Sequence, residues 1–114
     1  MNIIIIGATS GIGYGLLKKY AVPGNTIGIL GRRKSILKEL ERCYPSKVIT
    51  CAADISRQEE MSKAVRYFQS QIQTIDIVIL CSGIGELNPS LDFNIEYPTL
   101  LTNVVGWTHV IDAF

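Results

Sequence analysis

A chain of 114 residues is long enough for one domain and too short for two. With 47% hydrophobic and 18% charged residues it can bury a core, which excludes a disordered polypeptide. Its net charge is +1 and its only basic run is Arg32-Arg33-Lys34, so it lacks the electrostatic footprint of a protein that binds nucleic acid or an anionic membrane.

The first apolar run, Ile3 to Ile6, is too short to span a bilayer. It has neither the basic leader nor the longer apolar stretch of an export signal, so a cytoplasmic location is expected. Cys43, Cys51 and Cys81 are odd in number and form no Cys-x-x-Cys pair. They are expected to be free, mostly buried thiols, and no metal site is expected.

Asn2–Ile6 is a β-branched run ending at Gly7, the pattern of a strand buried on both faces. Ile12, Leu16, Leu17 and Tyr20 come next at helical spacing, and Pro23-Gly24 ends that helix. Thr26–Leu30 is a second strand. A helix from Lys34 carries Ile36, Leu37 and Leu40 on one face, with Pro45 just past its end. Lys47–Cys51 is a third strand. Ser56 is expected to cap the next helix, with Glu59 completing a capping box. Along that helix Met61, Ala64, Val65, Phe68 and Ile72 form one apolar stripe. Ile75–Leu80 is a fourth strand. A last helix is expected from Tyr97-Pro98, with Leu100, Val104, Trp107, Ile111 and Phe114 as its main stripe.

Strand and helix alternating in this way predict an α/β fold of the Rossmann type, a doubly wound parallel sheet with strand order 3-2-1-4. No linker or internal repeat divides the chain, so residues 1–114 are expected to form a single dinucleotide-binding unit. The sequence ends inside a helix and would leave the fourth strand as an edge, so a chain cut short of its later strands is expected.

Gly7-Ala8-Thr9-Ser10-Gly11-Ile12-Gly13 joins the first strand directly to a helix. Glycines there permit a tight turn and close approach of the backbone to a pyrophosphate, and the helix N-terminus offers free N–H groups to the phosphates. Thr9 and Ser10 can add hydroxyl donors. No Gly-Lys-Ser/Thr is present, which excludes a nucleotide-hydrolysing P-loop.

A dinucleotide site that prefers NAD(H) carries an acid at the end of the second strand, for the ribose 2′-hydroxyl. Here Gly31 stands in that place, with Arg32 and Arg33 directly after it. Guanidinium groups suit a 2′-phosphate, so NADP(H) is expected rather than NAD(H), with Arg32 on the phosphate and Arg33 stacked near the adenine. A solvated basic turn is the plainer alternative.

The Gly-x-x-x-Gly-x-Gly spacing resembles the fingerprint of the short-chain dehydrogenase/reductase family, although Ile6 stands where that family usually has Thr. The resemblance implies a hydride transfer between a nicotinamide cofactor and a small carbonyl or alcohol substrate. Asp54-Ile55 is similar to the family's Asp-Val/Ile pair, whose Asp bonds the adenine edge, though Asp54 also suits a turn. Leu80-Cys81-Ser82-Gly83 stands where the family has Asn-Asn-Ala-Gly, so both usual asparagines are missing. Cys81 then lies near the cofactor, as a buried thiol rather than a reactive one.

Asn103-Val104-Val105-Gly106 resembles the family's Asn-Val-x-Gly, which implies a catalytic role for Asn103. His109, with no ligand partners at suitable spacing, is expected on a helix surface. The family's catalytic Ser and Tyr-x-x-x-Lys would lie further on. Tyr14 and Lys18 match that spacing, but in the first helix, where they are structural or solvated. The chain alone is therefore expected to be inactive. A non-catalytic dinucleotide-binding module or sensor is the alternative, and a sugar-nucleotide epimerase relative ranks below it. The extra apolar residues Leu101 and Val105 on the last helix point to a homo-oligomer.

Overall fold

A computed structural model describes residues 1–44 and 47–114, so the expected helix stop at Pro45 lies outside the described residues. Four strands, β1 (Asn2–Ile6), β2 (Thr26–Gly31), β3 (Lys47–Ala52) and β4 (Ile77–Leu80), form one parallel sheet in the order β3-β2-β1-β4. Ile3 of β1 lies opposite Ile27 of β2 and Ile77 of β4.

Helices α1 (Gly11–Tyr20), α2 (Lys34–Cys43) and α3 (Gln58–Gln71) are the crossovers. After β4 and a loop come α4 (Phe93–Leu100), a π-helical segment (Leu101–Gly106) and α5 (Trp107–Ala113). Because successive side chains of a strand point to opposite faces, β1 serves two cores. Ile3 and Ile5 pack with Leu17 of α1 and Leu37 of α2. Ile4 and Ile6 pack with Phe68 of α3 and Val110 of α5. Phe68 is fully buried, so truncating it to Ala removes about 3–5 kcal/mol.

The α3 stripe lies as its spacing indicates, with Met61, Ala64, Val65, Phe68 and Ile72 all buried. Several local expectations are corrected. Ser56 does not cap α3: the N-cap is Arg57, and the Ser56 hydroxyl donates instead to Asp54 Oδ1 at 2.7 Å. Glu60, not Glu59, bonds back, accepting the Asp54 backbone N–H at 2.8 Å. A nearby carboxylate out-competes the helix end for the serine hydroxyl.

β4 begins at Ile77 rather than Ile75, because Asp76 and Thr74 are engaged by Asn2. The Asn2 N–H donates to the Asp76 carboxylate at 2.7 Å, and its side-chain amide donates to the Thr74 carbonyl at 2.7 Å.

The last helical run begins at Phe93, not at Tyr97-Pro98. Asp92 caps it by accepting from Asn94 N at 2.8 Å, and Pro98 falls in its interior. Its expected stripe also faces the wrong way: Leu100, Val104 and Trp107 are exposed, and Ile111 is 72% exposed. The face that packs is Gly106 and Val110, because Gly106 sits so close to Ile55 that an added Cβ would lie 2.7 Å from Ile55 Cγ1. Ile12, likewise expected on the core face of α1, is 78% exposed, and Cys43 is exposed rather than buried.

Candidate functional site

β1 lies between β2, reached by one crossover, and β4, reached by the other, so the connections diverge at its carboxyl end. Clefts for ligands form at such a switch point. A cavity of about 550 Å³ opens there, along the carboxyl ends of all four strands. At its centre are Gly7, Thr9, Ser10, Gly11 and Ile12. One end carries Arg32, Arg33, Asp54 and Ile55, and the other Cys81, Ser82 and Gly83.

Gly7 turns the chain out of β1 with φ +89°, a conformation that side chains strain to adopt. A Cβ on it would also lie 2.7 Å from Ser82 N. Gly13 does not line the cavity. It is where α1 packs on the turn, and a Cβ there would strike the Gly7 carbonyl. The N-cap Ser10 makes no side-chain bond to α1, so the helix start that lines the cavity with Gly11 and Ile12 keeps its first backbone N–H groups without a side-chain cap. Gly11 has open space about it. This cradle, with uncapped donors and no side chain in the way, fits a pyrophosphate.

At the β2 end, Gly31 is buried, and a Cβ there would lie 2.9 Å from the Thr9 methyl. Arg32 and Arg33 are exposed at the rim. Arg33 reaches the glycine turn, where its Nη2 donates to the Thr9 hydroxyl at 2.9 Å. Asp54 Oδ1 accepts from both the backbone N–H (2.9 Å) and the hydroxyl (2.7 Å) of Ser56. Burial pushes its carboxyl up, but the Ser56 bonds, with Arg32 and Arg57 nearby, outweigh this and hold it below the usual carboxylate value. Asp54 is thus an ionised acceptor at the cavity wall.

At the β4 end, burial raises the Cys81 thiol above its ordinary value, so it stays protonated at neutral pH. Its backbone N–H donates to the Ile6 carbonyl at 2.8 Å. Asn103 lies behind the wall rather than in it. It accepts from the Ile84 N–H at 3.0 Å and donates to the Ile84 carbonyl at 2.7 Å. His109 is not a plain surface residue: half-buried, its Nδ1 lies 2.9 Å from the Ile55 carbonyl. Tyr14 and Lys18 lie away from the cavity, with the ammonium 4.8 Å from the ring centroid.

Sequence reasoning did not single out Ile84 and Thr102 as wall residues, or Trp107 as a brace. Ile84 and Thr102 adjoin Gly83 and Asn103, which offered the only signal. No pattern announced Trp107.

No helix among the described residues is long and apolar enough to cross a membrane. The chain is 30% identical to a short chain dehydrogenase of Pseudocercospora fijiensis over 90% of its own length and 38% of that protein's. It superposes on a 3-ketoacyl-ACP reductase from Sinorhizobium meliloti with TM-score 0.89 and 27% identity, covering 98% of this chain and 46% of that one. The closed form of serine dehydrogenase complexed with NADP+ gives TM-score 0.89 at 20% identity, covering 99% and 47%. The chain therefore spans about half or less of each of these proteins. The family model for short chain dehydrogenase matches residues 1–114, the whole length over which the glycine turn, the switch-point cleft and the 3-2-1-4 sheet are built. By sheet, cleft and sequence together, the chain belongs to the short chain dehydrogenase family.

Proposed function

We propose that this chain supplies the NADP(H)-binding part of an oxidoreductase acting on a small carbonyl or alcohol substrate. The observation that carries this reading is the rim at the end of β2. Two exposed arginines stand there, and the buried Gly31 offers no carboxylate of the kind that a 2′-hydroxyl would require. Guanidinium groups bond phosphate oxygens bidentately and stay charged at all working pH values.

The residues divide the work along the cleft. Arg32 holds the 2′-phosphate with Arg33 beside it near the adenine, and the ionised Asp54 accepts from the adenine amino edge. The glycine turn with Thr9, Ser10 and the N–H groups of α1 holds the pyrophosphate. Cys81, Ser82 and Gly83 wall the far end, where Gly83 keeps the backbone low and Ile12 contributes an apolar surface. When bound, the cofactor supplies hydride chemistry, which the protein must orient and shield. Asn103, locked to Ile84, keeps the far wall in place beside the reacting end. Among the described residues no tyrosine or lysine lines the cavity, so catalysis by this chain alone is not expected.

Residues 1–114 act as a single dinucleotide-binding unit in this reading. The exposed apolar row Leu100, Val104, Trp107 and Ile111 supports assembly with a second subunit, and three unpaired cysteines suit the reducing cytoplasm. The test is Arg32→Ala and Arg33→Ala, titrated with NADPH and NADH. Each should weaken NADPH binding on the order of tenfold while changing NADH less than about twofold. Equal losses for both cofactors contradict the assignment.

A further inference from the structure

Among the described residues, the segment that leaves β4 has no strand beside it beyond Cys81. The last sheet bond there runs from Cys81 N to the Ile6 carbonyl at 2.8 Å. Residues 82–84 are instead pinned from the helix side. Trp107 Nε1 donates to the Ser82 carbonyl at 2.7 Å, and Asn103 takes both backbone groups of Ile84. On its other side Ser82 lies against the glycine turn, so close that a Cβ added to Gly7 would fall 2.7 Å from Ser82 N and 2.8 Å from Ser82 Oγ. Ser82 is thus clamped between Gly7 and the indole.

From this clamp we infer that Trp107 is a positioning residue for the cofactor site. Its indole N–H fixes the Ser82–Gly83 wall at the β4 end of the cleft, and so sets the fit of the half of a dinucleotide that lies beyond the pyrophosphate. This rests on the dinucleotide reading above. Trp107 touches no part of the cavity itself and acts only through the Ser82 carbonyl. The residue is 40% exposed, so burial alone does not account for a tryptophan at this position. The bond matters more here because the side chains at positions 81 and 82 are a thiol and a short hydroxyl, neither of which reaches across to brace the wall.

The role separates from that of the arginines by distance along the cleft. Removing the indole N–H leaves the adenine end untouched, so a ligand that fills only that end should not register the change.

The test is Trp107→Phe, which keeps an aromatic ring and deletes the donor. Binding is followed by calorimetry with NADPH and with 2′,5′-ADP, a fragment that lacks the far half. NADPH affinity should fall on the order of three- to tenfold, with 2′,5′-ADP affinity unchanged. Amide exchange at Ser82 to Gly85 should quicken in the same variant without any ligand, while exchange in β1 and β2 stays as in the parent. Equal loss for both ligands, or no loss for either, overturns the inference, as does unchanged exchange in the 82–85 segment. A parent chain that binds neither ligand overturns the dinucleotide reading itself, and the exchange result then judges the clamp separately.

Discussion

Arg33 and Thr9 are joined across the cleft mouth, the guanidinium donating to the hydroxyl at 2.9 Å. The bond ties the turn after β2 to the glycine turn after β1, and it fixes one cation in a cavity that Arg32 also lines. Thr9 has a second task, since its methyl occupies the space beside Gly31.

Thr9→Val separates the two tasks by keeping the methyl and deleting the hydroxyl. Both partners of the lost bond lie near the surface, so stability should change by no more than about 0.5 kcal/mol. NADPH affinity should fall about two- to fivefold because the guanidinium is no longer held in place. Cofactor titration and thermal unfolding of the same sample check both statements.

Gly31→Asp tests the origin of cofactor choice. The new Cβ lies 2.9 Å from the Thr9 methyl, a side-chain atom that can shift. The cost should be about 1–2 kcal/mol, read from urea unfolding. The added carboxylate repels a 2′-phosphate and accepts from a 2′-hydroxyl, so the preference should turn toward NADH.

Stability should weaken in acid partly through Asp54. Its carboxyl is held below the ordinary value by Ser56 and the nearby arginines. A depressed folded value means that its contribution is fully present above the unfolded value of about 3.9 and is lost as pH falls through the folded one. Asp54→Asn should therefore narrow the difference in urea midpoint between pH 6 and pH 3. An unchanged difference contradicts the bonds to Ser56 as the source of the shift.

The strand order, the three crossover helices and the glycine turn were legible because their signals are local. β-branched runs, helical stripes and glycine spacing each report the chain's own geometry. The α3 stripe from Met61 to Ile72 is the clearest case, with every member buried. What the sequence hid depends first on competition between neighbouring groups for the same donor. Asp54 took the Ser56 hydroxyl that a helix cap would have used. Asp92 started the last helix four residues upstream of the Tyr97-Pro98 signal by accepting from Asn94 N, which placed Pro98 inside it.

The orientation of that helix departs furthest from its sequence pattern. Periodicity identified an apolar stripe from Leu100 to Ile111, but close packing of Gly106 on Ile55 turned the stripe outward. A glycine gives no apolar signal, so the contact that set the helix rotation was silent. The same holds for the far wall of the cleft, where the Trp107 and Asn103 bonds join residues distant in sequence.

The most direct test is a paired titration of this chain with NADPH and NADH, following the fluorescence of the cofactor. Saturable binding of NADPH at least about tenfold tighter than NADH is the result expected from a rim of two arginines without an acid. Tighter binding of NADH would contradict it.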